Sequence, residues 1–137
     1  MTSPGRTEPS DLDAVHARLK AIFAPYRDRL AVSGDSPDGM YLELPGYEGQ
    51  TWGFVGGTRR NKHYVSFYLM GVYGNADLAA SISPELKRRM QGKSCFNFTR
   101  VDEALFRELE TLTARSIELQ PAMTAAVLAN RKDRRRA

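Results

Sequence analysis

The chain has a single cysteine, Cys95, which excludes an internal disulfide and a thiolate zinc cluster. It has no apolar run near the ~20 residues needed to cross a bilayer. Its N-terminus, MTSPGRTEPSD, lacks an apolar core, so no signal peptide is expected and a cytoplasmic location fits. It has no Gly-x-x-x-x-Gly-Lys-Ser/Thr motif, and Gly53, Gly56 and Gly57 do not have the spacing of a phosphate loop. Nothing in it resembles a hydrolase triad. Outside its C-terminus it also has no excess charge. The formal net charge is +4, and residues 131–137, RKDRRRA, carry five Lys/Arg against one Asp and so hold all of it. A terminal basic cluster of this kind reads as a solvated, disordered tail, with non-specific phosphate binding as the lesser alternative.

What remains has the composition of an ordinary globular domain. Its 137 residues, 42% hydrophobic and 26% charged, fit one domain that buries enough surface to fold without staples. Residues 1–9 show no apolar periodicity and are expected to be disordered, leaving a domain over residues 10–130. From Ser10, a helix N-cap, Val15, Leu19, Ile22, Phe23, Tyr26 and Leu30 recur at spacings of three and four. Pro25 should break that helix near Phe23. Between Leu30 and Tyr73 the period shortens. Runs at 40–44, 51–57 and 63–72 are rich in aromatic and β-branched residues, and turn signals separate them closely enough that antiparallel hairpins are implied.

In the third of these runs Val65, Phe67 and Leu69 fall on one side, and Tyr64, Ser66, Tyr68 and Met70 on the other. Asn75 and Ser83 then cap short helices, Pro84 takes the first position of the second, and Gly92 provides a left-handed stop. Lys93 to Phe98 alternates again, with Phe96 and Phe98 opposite Cys95 and Asn97. A capping box at Thr99–Asp102 opens a helix that should bury Val101, Leu105, Phe106, Leu109, Leu112 and Ile117 and end before Pro121. Met123, Val127 and Leu128 suggest a last short helix. Strands segregated from helices in this way predict an α+β fold, an antiparallel sheet with the N- and C-terminal helices on one face.

The segments YVSFYLMGVYGNADL, ISPELKRRMQGKSCFNF and VDEALFRELETL resemble the YdhG-like family of small bacterial proteins. The resemblance extends over about residues 11–120. It implies a frataxin-like fold, two helices on one face of an antiparallel sheet, and for one branch of the family an iron-delivery role. Most members of that family have no assigned function, so the resemblance speaks to fold more than to activity.

The residues themselves do not favour iron. Glu8, Asp11, Asp13 and Asp28 are interleaved with Arg18, Lys20, Arg27 and Arg29, and His16 and His63 lie on different elements. No metal or cofactor site is expected. The better candidate is the sheet face turned away from the helices, where Tyr64, Ser66, Tyr68, Lys93 and Asn97 would collect, joined by Trp52 or Phe54. Tyrosines offer apolar bodies with polar tips, and Lys93 a contact for an anion. A homodimer interface, a bare solvated face and a small anionic ligand all suit such a surface. Cys95 reads as an inert small hydrophobe, since no base stands near it in sequence. The sequence therefore predicts a non-catalytic binding or self-association domain with neither nucleic acid nor membrane as its expected partner, weak nucleic-acid binding through the basic tail being an alternative.

Overall fold

A computed structural model describes residues 9–136, and side-chain environments within 11–130. The predicted α+β architecture is present: six antiparallel strands in the order β1-β2-β3-β4-β6-β5, against which an N-terminal and a long C-terminal helix pack. Helix α1 (Pro9–Phe23) leads through a 3-10 turn at Ala24–Tyr26 into β1 (Ala31–Ser36), β2 (Gly39–Glu43), β3 (Phe54–Arg60) and β4 (Val65–Leu69). Three short helices follow: α2 (Met70–Gly74), α3 (Ala76–Ala80) and α4 (Pro84–Lys87). The chain then adds β5 (Met90–Gln91) and β6 (Cys95–Phe98) and ends in α5 (Glu103–Arg136). Among the described residues, no helix is long and apolar enough to cross a membrane.

Local chemistry accounts for several boundaries. Pro25 ends α1 at Phe23, because proline has no N–H to give the helix ladder. The Asn75 side chain accepts from Leu78 N at 2.9 Å and Ser83 Oγ from Leu86 N at 3.2 Å, so both expected N-caps form. The α5 cap differs from expectation. Asp102 is itself the capping residue, with its Oδ1 accepting from Leu105 N, and Val101 lies outside the helix and exposed rather than buried. Gly92, with φ +76°, serves the β5–β6 turn rather than a helix end.

Two larger differences stand out: the edge strands β1 and β5 are not among the expected runs, and α5 is longer than expected. The helix does not stop before Pro121. Gln120 Nε2 donates to the Phe54 carbonyl at 2.6 Å and Thr124 Oγ1 to the Trp52 carbonyl at 2.5 Å. These bonds tie down the chain on both sides of the proline, and one helix replaces the two expected. Its backbone continues to Arg136, where a disordered tail was expected from residue 131. Residues 1–8, also expected to be disordered, lie outside the described residues.

The core lies between the sheet and the helices. Val65, Phe67, Leu69, Phe96 and Phe98 all point into it. Phe23 of α1 stacks on Phe67, with ring centres 4.7 Å apart and planes 11° from parallel. Phe106 of α5 meets Phe98 edge to face at 4.9 Å. Arg18 clasps the two helices, with Nε 3.0 Å from Glu103 and Nη2 2.7 Å from Glu110.

A buried histidine gives the fold an expected pH dependence. His16 is buried on α1, with Nε2 2.8 Å from Thr58 Oγ1. Burial, then the positive charges of Lys20 and Arg60, hold its pKa below 6.5, opposed by the Pro37 backbone and Asp13. A histidine depressed in the folded state leaves stability complete above its unfolded pKa and removes it as pH falls below about 6.5. The melting temperature is therefore expected to drop between about pH 7 and pH 5, a loss that His16→Gln should blunt. The lowered carboxyls of Asp35 and Glu103 act in a separate, more acidic window. An identical melting profile in the two proteins across that range would remove His16 as the cause.

Candidate functional site

The pairing of β4 with β6 decides which side chains share the open face. Val65 lies opposite Phe98, Ser66 opposite Asn97, Phe67 opposite Phe96 and Tyr68 opposite Cys95. Strand side chains alternate with period two, so Ser66, Tyr68, Cys95 and Asn97 occupy the side turned away from the helices, as the sequence suggests.

Ser66 and Asn97 use their polar groups on each other. Ser66 Oγ donates to Asn97 Oδ1 at 2.7 Å and accepts from Asn61 Nδ2 at 3.1 Å. Asn97 Nδ2 continues the relay to Gln91 Oε1 at 2.8 Å. Four chain segments are thus stitched across the face, and Ser66 retains only 2% exposure. This pair belongs to the sheet's own satisfaction of buried polar groups and has little left to offer a ligand. Cys95 Sγ donates weakly to the same Asn97 Oδ1 at 3.4 Å. Burial pushes the Cys95 thiol up, against a smaller opposing hydrogen bond with Ser66. The thiol is held in the form that is the poor nucleophile.

Two predicted residues lie beyond the ends of the β4 ladder. Tyr64 precedes the β4 ladder, its carbonyl accepting from Asn61 N, and its side chain is 36% exposed. Lys93 sits at the other end of β4, in the β5–β6 turn, where period-two alternation does not govern its direction. Its Nζ lies 5.8 Å from the centre of the Tyr73 ring. Trp52 is drawn to the same place, 5.7 Å from Tyr73, so only Phe54 joins the open face.

The centre of the face is instead a residue absent from the sequence-based set, Tyr41. Along one row of paired positions lie Gly34, Tyr41, Gly57 and Tyr68. A Cβ on Gly57 would come within 2.8 Å of Tyr41 Cδ1, one on Gly34 within 3.2 Å of Cδ2, and one on Gly39 within 2.9 Å of its hydroxyl. The ring therefore lies flat over three glycines. Phe54 stands 6.5 Å from Tyr41. Burial, ahead of a Ser66 hydrogen bond that acts the other way, raises the Tyr68 phenol, so that tyrosine is neutral. Arg59, in the row of Gly39 and Ser66, is exposed at one end of this aromatic strip. Glu43, two residues beyond Tyr41 on β2 and with its Oε1 accepting from Gly49 N at 2.9 Å, marks the other end. The spacing of Gly34, Gly39 and Gly57 around Tyr41 was the available signal, but it becomes legible only once the register is known.

Among the described residues, no three His, Cys, Asp or Glu side chains come together as metal ligands. Asp13 pairs with Arg60, and Asp35 with Lys20 and Arg27. Glu8 lies outside the described residues. No family model, curated protein or solved structure matches the chain.

Proposed function

We propose that this is a non-catalytic self-association domain of YdhG-like, frataxin-like type, and that a second copy of the chain is the partner of its open sheet face. The flat aromatic strip of Tyr41, Phe54 and Tyr68 with opposite charges at its two ends is the observation that carries this reading. Apolar faces with aromatic centres are the anchors of protein interfaces. A two-fold axis through the strip would bring Arg59 of each copy toward Glu43 of the other, making the surface complementary to itself. The thiol of Cys95 is masked and the Ser66–Asn97 pair is internally satisfied, so neither supplies a competing catalytic reading.

Charge exchange tests the pairing. Arg59→Glu alone and Glu43→Arg alone should each weaken self-association by roughly tenfold or more, because each places like charges together at both ends of the interface. An equimolar mixture of the two variants should associate again, since every contact is then between opposite charges. Sedimentation velocity on the separate and mixed variants reads this directly. A wild-type chain that stays monomeric at high micromolar concentration, or variants that do not rescue each other, would overturn the proposal.

A further inference from the structure

A second surface lies apart from the open sheet face, where α2, α3 and α4 meet the β5–β6 turn. It is a groove of about 600 Å³. Val72, Ile82 and Met90 give it an apolar floor, and Tyr73, 51% exposed, forms one wall. The sequence explains why it is hollow. Alanines occupy the α3 positions facing it, and Gly92 flanks it with open space where a side chain would stand, so no large side chain fills the space between the short helices and the turn. Two cations, Lys87 and Lys93, stand among its lining residues, and none of those residues is acidic. Lys93 rests over the Tyr73 ring, and Lys87 ends α4, where a cation offsets the negative end of the helix dipole.

We infer that this groove binds a small organic anion with an apolar body, a carboxylate whose chain lies on Val72, Ile82 and Met90 and whose head reaches Lys87 and Lys93. Apolar walls with a few placed polar groups are the usual construction of small-ligand sites, and a few hundred cubic ångströms is their usual size. The charge is one-sided: an apolar cation would meet two lysines and no counter-charge, and a neutral molecule would leave both unused. The aromatic strip takes no part in this site, so the two proposals stand or fall separately.

Octanoate and octan-1-ol share an apolar body and differ in the head group, which makes them suitable probes. Trp52 is the only tryptophan in the chain and lies 5.7 Å from Tyr73, so its emission reports on the groove wall. Octanoate is expected to change that emission saturably, to shift the amide signals of residues 72–93 in heteronuclear NMR spectra, and to bind about three- to tenfold more tightly than octan-1-ol. That range is the one expected for two exposed cations acting on one anion. Lys87→Met combined with Lys93→Met should erase the preference while leaving the fold intact, since both side chains are exposed. Added salt should weaken the acid and leave the alcohol unchanged. Equal binding of acid and alcohol, a preference that survives in the double variant, or shifts centred elsewhere would overturn the inference.

Discussion

Phe67→Ala is expected to lower the stability of the domain by about 3–5 kcal/mol, the range for removing a fully buried aromatic side chain. Phe67 has no exposed surface, and β4 is paired on both sides, with Thr58 and Phe96 as the neighbours of this residue. Its ring stacks against Phe23, which fixes the end of α1 on the sheet. The cavity left behind cannot close easily. The sheet is held by its ladders, and α1 is tethered to α5 through Arg18. Tyr68→Ala, one position along the same strand, should cost less than half as much, because its side chain lies on the half-buried opposite face. Urea unfolding with comparable m-values in the three proteins measures the difference. Equal losses from Phe67 and Tyr68, or a loss below about 1 kcal/mol from Phe67, would contradict the assignment of faces on which the open surface depends.

The contrast between these two neighbours was legible in the sequence, because a strand buried on one face writes its alternation into the chain. Val65–Leu69 and Cys95–Phe98 both show it, and both orient as read. β1 was missed because Ala31–Ser36, AVSGDS, has no buried alternation. It is an edge strand held mainly by its ladder to β2, and backbone hydrogen bonds leave no mark on residue type. β5 was missed because the helix capped by Ser83 was read as running to a stop at Gly92, but α4 ends at Lys87 and only two residues pair with β6. The continuation of α5 through Pro121 was invisible because its supports, Gln120 and Thr124, are polar residues bonded to carbonyls 66 and 72 residues away. The same limit governed the candidate site. Composition pointed to Ser66 and Asn97, but only the register makes them partners of each other, and only the register places Gly34 and Gly57 beside Tyr41. Lys93 was assigned by extending strand alternation into what is a turn.

Gly71→Ala gives a prediction whose sign separates two opposing effects. Gly71 lies within α2, where replacing glycine with alanine ordinarily stabilises a helix by about 0.5–1 kcal/mol. Here a Cβ would fall 1.9 Å from Ser116 Oγ, 2.8 Å from its Cβ and 3.1 Å from its Cα. Rotating the hydroxyl relieves only the first of these contacts. The other two require α2 and α5 to move apart, so overpacking should win and the variant should lose about 1–3 kcal/mol. Because α2 also carries Tyr73, against which Trp52 packs, the displacement should appear as a change in tryptophan emission of the folded protein. Ser116→Gly is the compensating change. It removes both side-chain atoms that clash, and Ser116 Oγ is buried without a hydrogen-bond partner, so no bond is lost with it. By itself the substitution should cost no more than about 1 kcal/mol of helix propensity. The double variant should then be clearly more stable than the sum of the two single effects allows, with a coupling of at least about 1 kcal/mol in a double-mutant cycle. Strict additivity, or a Gly71→Ala protein more stable than the parent, would mean that α2 does not approach α5 this closely, and the groove wall built on α2 would lose its support.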